Sequence, residues 1–309
     1  MKFVHKSVLL NECIDALSVK PNGIYVDCTA GGGGHSYQIA KLLSSQGLLV
    51  DIDKDVEALQ VCRNRLAGFN VKFVHSDFKS LPQVLDELGI SKVDGILADL
   101  GVSSYQIDNP ERGFSYMSAD APLDMKMDSS QSFSAADVVN GYTEEQLTAI
   151  LRDYGEEKFA KIIARNVVQA RQIKALVTCG DLVNVIERSV PYSARKGGHP
   201  AKRTFQALRI EVNKELDGLD AFLRSATDRL NPQGRLAVIT FHSLEDRIVK
   251  HCFADLSTGC ICPPNLPVCV CNHKATARPV SKKPILPSEQ EMTENSRSKS
   301  AKLRVLEKL

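Results

Sequence analysis

The chain has 309 residues, of which 43% are hydrophobic and 25% charged, and its formal net charge at pH 7 is +2. This composition excludes disorder over most of the chain, and the length indicates about two domains. No apolar run reaches ~18 residues, which argues against a membrane span. The segment 1–10, with its Lys and His side chains, does not resemble a secretory signal. We therefore expect a cytoplasmic protein with no membrane partner.

Strand and helix patterns alternate over the first hundred residues. Strands are predicted at 23–27, 48–53, 70–75 and 93–99, with helices at 35–45, 55–66 and 83–88. Strands that alternate with helices form a parallel sheet covered on both faces. The first third of the chain therefore predicts an α/β fold.

The alternation stops after the fourth strand and resumes near residue 231. The intervening segment is polar at first and then has helical patterns, the last of them over 204–223. A turn at 231–234 and then a further strand are predicted after it. The Cys-, Pro- and Lys-rich remainder is mostly loop, with a candidate final strand at 303–305. We therefore predict a discontinuous sheet domain, residues 1–104 and 216–309, interrupted by a helical insertion at 105–215.

A glycine-rich loop, DCTAGGGGHS at 27–36, follows the first strand and opens a helix. Consecutive glycines let a ligand approach the backbone beside the free N–H groups of a helix N-terminus. Asp53 ends the second strand, where a carboxylate accepts hydrogen bonds from ribose hydroxyls. Ser36 stands where a dinucleotide loop has its third glycine, and Asp27 suits the amino group of S-adenosylmethionine. The pattern predicts a ligand with an adenosine-like group.

Two further strand ends carry candidate side chains. Asp77 or Phe78, after the third strand, is placed to bracket an adenine. Asp99 ends the fourth strand, where a carboxylate points into the crevice beside the ligand. The alternative interpretation of Asp99 is a helix cap or a loop acid.

Several long strings resemble the bacterial 16S ribosomal RNA cytosine-N4 methyltransferases, which act on a decoding-centre cytidine. The strings are DCTAGGGGHS at 27–36, DLGVSSYQID at 99–108, ERGF at 111–114, PLDMKMD at 122–128, YGEEKFA at 154–160, HPAKRTFQALRIEVN at 199–213, FHSLEDRIVK at 241–250 and NSRSKSAKLRV at 295–305. They follow the family's order over essentially the whole chain.

The resemblance implies a class I (Rossmann-like) methyltransferase sheet with a helical inserted domain. It also implies S-adenosyl-L-methionine as cofactor and 16S rRNA in the small ribosomal subunit as partner. The cofactor-binding residues that it carries over are Gly33, Gly34, His35, Asp53, Phe78, Asp99 and Gln106. Gln106 comes from the resemblance alone. Lys126 departs from the family's usual Arg, which weakens a bidentate contact because Lys is a point charge.

The implied reaction methylates the exocyclic nitrogen of cytosine, whose lone pair is delocalised into the ring. The enzyme must hold that nitrogen in line with the methyl group. Asp99 is our candidate acceptor for a hydrogen on N4, although the same carboxylate could instead hold only the cofactor. The base must also leave its stack, and Tyr105, Phe114 and Tyr116 are candidates either for stacking on it or for a structural role.

A basic tract at 190–215 carries six Lys or Arg against two Glu, with glycines beside the cations. Such a tract suits RNA phosphates, and the alternative is an ordinary solvated surface. The candidate RNA contacts are Lys126, His199, Lys202 and Arg203.

Cys260, Cys262, Cys269 and Cys271 lie within twelve residues. Four thiolates suffice for a tetrahedral structural zinc, but paired zinc ligands are usually separated by two or more residues and here by one. Zinc binding and reduced or redox-paired thiols both remain open. The other five cysteines are predicted to be reduced core residues.

The favoured function is therefore an S-adenosylmethionine-dependent rRNA methyltransferase. A nicotinamide-dependent oxidoreductase is disfavoured by the absent third glycine. A non-catalytic RNA-binding assembly factor is disfavoured by the complete glycine loop with its Asp53.

Overall fold

The computed structural model describes residues 7–263, 268, 270, 271 and 273–309. The chain divides into two compact units. Met1–Gly101 and Gly218–Leu309 form one, here called the sheet unit, and Val102–Asp217 form the other, the helical unit.

Thirteen α-helices and seven strands lie in the described part of the chain. The helices are α1 Leu10–Leu17, α2 Gly34–Leu42, α3 Val56–Arg65, α4 Leu81–Glu87, α5 Ser104–Asp108, α6 Ala135–Gly141, α7 Glu144–Asp153, α8 Ala160–Ile173, α9 Cys179–Ser189, α10 Ala201–Asn213, α11 Leu219–Asp228, α12 Ser243–Leu256 and α13 Glu289–Glu294. The strands are β1 Ile24–Asp27, β2 Leu48–Asp53, β3 Val71–His75, β4 Val93–Asp99, β5 Leu230–Thr240, β6 Ala277–Pro279 and β7 Lys302–Lys308. No described helix has the length and apolar character that a membrane span requires.

The strands form one sheet in the order β3-β2-β1-β4-β5-β7-β6. The first five are parallel, and β7 runs antiparallel between β5 and β6. Glu307 in β7 pairs with Arg235 of β5 at 3.0 Å and with Arg278 of β6 at 2.5 Å, so one carboxylate joins three strands.

Two apolar layers cover the parallel strands, because successive side chains point to opposite faces. Val26 and Ile96 pack with α4, α11 and α12 on one face. Their neighbours Tyr25 and Leu97 pack with α1, α2 and α3 on the other. The predicted parallel sheet covered on both faces is confirmed.

The carboxyl ends of the parallel strands share one edge of this sheet. Asp27, Asp53 and Asp99 are the last residues of β1, β2 and β4. Open α/β sheets bind ligands in the crevice outside the carboxyl ends of their strands.

The helical unit has its own apolar core, which draws on α6 to α10. Ser134, Thr143 and Thr178 each form a capping box at the start of a helix. Asn213, at the end of α10, accepts from the Met127 N–H at 2.8 Å and so holds the loop that precedes α6.

Two predictions from the sequence are wrong in detail. The helix predicted at 204–223 is two helices, because Lys214 adopts a left-handed conformation with φ 50° and Gly218 follows with φ 71°. The turn predicted at 231–234 is part of β5, and the pairing of β5 with β4 shifts register there between Val93 and Gly95.

Candidate cofactor site

The loop between β1 and α2 is held from both neighbouring strands. The Cys28 N–H donates to the Leu97 carbonyl at 2.8 Å, and the Ala30 N–H donates to the Ile52 carbonyl at 3.0 Å. The glycines that follow are therefore presented at the carboxyl edge of the sheet. Gly33 is the N-cap residue of α2.

Two of the glycines, which are also predicted cofactor residues, are required by packing. Gly33 has φ +69°, and a Cβ on it would lie 2.8 Å from Cys62 Sγ of α3. A Cβ on Gly34 would lie 1.8 Å from Ser7 Oγ, whereas a Cβ on Gly32 would meet nothing within 4 Å. The structure thus requires glycine at 33 and 34, and it leaves space beside Gly32.

Asp53 braces this loop from the end of β2. Its Oδ2 accepts from the Gly31 N–H at 2.7 Å, and its Oδ1 accepts from the Asp55 N–H at 2.9 Å. Burial raises the pKa of Asp53 to about 6. The carboxylate retains further lone pairs for a ligand, because an ionised carboxylate offers about four acceptor positions.

Asp27 is buried beneath the loop, where Ser36 Oγ donates to its Oδ2 at 2.8 Å and the Thr29 N–H to its Oδ1 at 3.1 Å. Burial raises the pKa of Asp27 and, together with the charge of Asp27, that of Asp51. Sequence analysis missed Asp51, which accepts from Cys62 Sγ at 3.3 Å. Asp51 ends no strand, so its position gave no signal.

Asp99 lies at the end of β4, where its N–H donates to Thr29 Oγ1 at 2.7 Å. Burial, and then the charges of Asp27 and Glu245, raise the pKa of Asp99. Its Oδ1 is a buried atom with no hydrogen-bond partner among the described residues. An acceptor left without a donor is costly in the folded state unless a ligand satisfies it.

His35, in the first turn of α2, faces Asp99 with its Nδ1 3.8 Å from the Asp99 Oδ2. Burial lowers the pKa of His35 to about 4, so the ring is neutral at pH 7 and the two groups do not form an ion pair. His35 Nε2 lies 3.0 Å from the Val8 carbonyl oxygen. A carbonyl only accepts, so Nε2 carries the proton and Nδ1 is an acceptor.

Phe78 and Asp77 follow β3 beside Asp53, whose carbonyl accepts from the Ser76 N–H at 3.0 Å. The Asp77 carboxylate is occupied as the cap of a short 3-10 helix. The Phe78 ring packs edge-to-face on Phe222 of α11, with ring centroids 4.7 Å apart. The sheet unit therefore brings six of the seven predicted cofactor residues to one edge.

The seventh, Gln106, belongs to α5 of the helical unit. Its Oε1 accepts from the Ser103 N–H at 3.0 Å in a capping box, and its Nε2 donates to the Met127 carbonyl at 3.4 Å. Its role toward a cofactor stays a prediction from the resemblance.

The RNA-contact candidates of the helical unit differ in what they touch. Lys126 Nζ pairs with Asp124 at 3.2 Å. His199 stacks on Tyr116, with ring centroids 4.6 Å apart and planes inclined by 18°. Tyr116 therefore already has a stacking partner within the helical unit.

Lys202 and Arg203 are exposed at the start of α10. Arg203 Nη1 donates to the Glu156 carbonyl at 2.8 Å, which orients the guanidinium without neutralising it. Two exposed cations at adjacent positions suit the phosphates of an RNA strand.

Of the four clustered cysteines, three are described. The Sγ atoms of Cys260, Cys262 and Cys271 all lie within 4.8 Å of one another. Cys269 lies outside the described residues.

Comparison with known proteins shows the family to which the chain belongs. The model of the MraW methylase family matches residues 2–309. The chain belongs to the MraW methylase family. It is 54% identical over 312 residues to the ribosomal RNA small subunit methyltransferase H of Clostridioides difficile (strain 630), with 100% of both chains covered. It is 55% identical over 311 residues to the methyltransferase H 2 of Agathobacter rectalis, with 100% of this chain and 99% of that one covered.

A solved structure of an rRNA methylase from Streptococcus thermophilus is also similar to this chain. It has a TM-score of 0.42 at 13% identity, with 98% of each chain covered. The family match confirms the resemblance found in the sequence strings. The strand order described above and membership of a methylase family confirm the expected α/β, class I (Rossmann-like) methyltransferase sheet.

The residues of the sheet unit fit the methyl donor that such a methylase uses. S-adenosyl-L-methionine carries positive charge on its sulfonium and amino groups. Burial raises the pKa of Asp27, Asp53 and Asp99 alike, so each carboxylate would be stabilised by a positively charged ligand. The unpartnered Oδ1 of Asp99 is a further acceptor for such a ligand or its substrate.

Proposed function

We propose that this chain transfers a methyl group from S-adenosyl-L-methionine to 16S rRNA of the small ribosomal subunit. The proposed acceptor is the exocyclic N4 of a decoding-centre cytidine. Family membership and the full-length similarity to rRNA small subunit methyltransferases support the substrate class. The observation that carries the proposal is the glycine loop braced by Asp53 beside the Asp99 carboxylate, whose Oδ1 has no partner among the described residues.

In this proposal the sheet unit binds and orients the donor. Asp53 accepts hydrogen bonds from the ribose hydroxyls. The ligand approaches the N–H groups at the start of α2 closely, because residues 33 and 34 are glycines. Phe78 offers an apolar wall for the adenine. The donor supplies an electrophilic methyl group on a sulfonium, so no covalent enzyme intermediate is required.

Asp99 then acts on the cytosine amino group. A carboxylate that accepts a hydrogen from N4 localises the nitrogen lone pair toward the methyl group. The new bond joins N4 to the methyl carbon, the bond from that carbon to sulfur breaks, and one N4 proton leaves. The raised pKa of Asp99 suits a group that receives this proton. Cofactor holding remains the alternative for the same carboxylate.

The helical unit is proposed to bind the RNA. Lys202 and Arg203 supply exposed positive charge, and His199 lies beside them at the start of α10. Lys126 contributes less charge than expected, because Asp124 already pairs with it. Tyr105 remains a stacking candidate, since its side chain is 49% exposed. The proposed setting is the cytoplasm.

The experiment combines ligand binding with product analysis. Calorimetry should detect binding of S-adenosylhomocysteine and no binding of NAD. A nicotinamide-dependent enzyme would show the reverse. Labelled donor and small subunits that lack the modification should then yield labelled N4-methylcytidine after digestion to nucleosides. Cofactor binding without incorporation would favour a non-catalytic assembly factor. A label in another nucleoside would overturn the N4 assignment and leave the rRNA methyltransferase class intact.

A further inference from the structure

The segment between α12 and β6 leaves the sheet unit as a loop that is closed at its base. The Thr276 N–H donates to the Leu256 carbonyl at 2.9 Å, which joins the two ends. Thr258 Oγ1 donates to the Ala254 carbonyl at 2.8 Å and ties the outgoing end to the helix. The loop has no part in the methyl-transfer site described above.

Three apolar side chains in the described part of this loop are not buried. Ile261, Val268 and Val270 are 63%, 70% and 73% exposed. A short segment that cannot build an apolar core is usually held by disulfides or a metal. These exposed side chains contribute little to ordering the loop, and a cross-link between its thiols would supply that order.

The described thiols have the separation that a metal would give them. Cys260 Sγ and Cys271 Sγ are 3.8 Å apart, and Cys262 Sγ lies within 4.8 Å of both. Thiolates bound ~2.3 Å from a tetrahedral zinc lie about 3.8 Å from one another. The three sulfurs are thus close to three corners of a zinc tetrahedron.

Backbone N–H groups surround the same sulfurs. The N–H groups of Cys262, Val270 and His273 donate to the sulfurs of Cys260, Cys262 and Cys271, each at 3.4 Å. Donors of this kind stabilise negative charge on sulfur and orient metal ligands. They form an observation independent of the sulfur–sulfur distances.

We propose that Cys260, Cys262 and Cys271 bind a structural zinc ion that fixes the loop between α12 and β6. Soft thiolate ligands select zinc over the harder divalent cations. The proposal rests on the three described thiols, since Cys269 lies outside the described residues. It is independent of the proposed methyl transfer, because no residue of the cofactor site belongs to the loop.

The test measures metal in the full chain, expressed without a histidine tag and purified under reducing conditions. Elemental analysis should find about one zinc per chain. Cys260→Ser, Cys262→Ser and Cys271→Ser should each lose it. Cys252→Ala, in α12 outside the loop, is the matched control and should keep the zinc.

A second measurement separates metal binding from general unfolding. Cobalt added to metal-free wild-type protein should produce thiolate charge-transfer absorption, which the three serine variants should lack. Hydrogen exchange over 257–276 should quicken when a chelator removes the zinc, while exchange in β1–β4 should not change. Wild-type protein that is folded but free of zinc and without cobalt absorption would overturn the proposal. A Cys260–Cys271 disulfide found in freshly prepared protein would overturn it too.

Discussion

Replacing Asp53 with Asn tests the cofactor site most directly. The substitution keeps the shape of the side chain and removes its negative charge. It also removes one of the two acceptors for the backbone N–H groups of Gly31 and Asp55. A hydrogen bond to a charged group contributes ~1.5–3 kcal/mol, and the amide loses one of the two acceptors that would face the ribose. The Kd for S-adenosylhomocysteine at pH 7.5 should therefore rise about 10- to 100-fold.

The pH dependence of binding adds a second signature. Burial raises the pKa of Asp53 to about 6 in the free protein, and the ligand needs the ionised form. Affinity is therefore full above that pKa and is lost as the pH falls through it. At pH 5 about one-tenth of Asp53 is ionised, so the wild-type Kd should rise about tenfold. The Asn variant should lack this component of the pH dependence.

Calorimetry from pH 5 to pH 8 is the assay, with thermal unfolding as the check on folding. Asp55→Asn is the matched control. Asp55 caps α3 by accepting from the Glu57 N–H, and Asn caps a helix about as well. An Asp53→Asn Kd within about twofold of wild type, or an unchanged pH slope, would refute the assignment of Asp53 as the ribose acceptor.

Three further predictions concern the loop, the chemistry and the RNA. Gly33→Ala should lower the free energy of unfolding by about 2 kcal/mol or more in denaturant titrations, since it combines a left-handed φ with a steric overlap, whereas Gly32→Ala should leave stability nearly unchanged. Asp99→Asn should lower kcat ~100-fold or more with little change in S-adenosylhomocysteine affinity; a loss confined to affinity would assign the carboxylate to cofactor holding instead. The double change Lys202→Ala and Arg203→Ala should weaken RNA binding and reduce the salt slope of log K by about 2, with cofactor affinity as the control. An unchanged slope would remove these two cations from the RNA interface.

The sequence by itself determined the parallel strands β1 to β4 and the edge at which their carboxyl ends lie. Alternating strand and helix patterns predict β1 to β4, because buried parallel strands and amphipathic helices have different hydrophobic periods. The glycine loop followed by Asp53 predicts the adenosine site, because both features are local in sequence. The matching strings predicted the family, which the family model confirms.

Only the tertiary structure decided how those residues are used. It shows that Cys62 and Ser7 leave no room for a Cβ at Gly33 and Gly34. These two neighbours come from other segments of the chain. It also paired Lys126 with Asp124 and so reduced the charge available to RNA. Periodicity cannot report such contacts, because it records the face on which a residue lies and not its partner.

For the same reason, the sequence could not report the two features that say most about function. The unpartnered oxygen of Asp99 and its raised pKa depend on burial beside Asp27 and Glu245, which lie far from it in sequence. The cysteine spacing left zinc and free thiols open, and the 3.8 Å approach of Cys260 and Cys271, together with the N–H donors around the sulfurs, favours a metal. Sequence fixes which chemical groups are present, whereas burial and distance, which arise only on folding, decide their protonation and their partners.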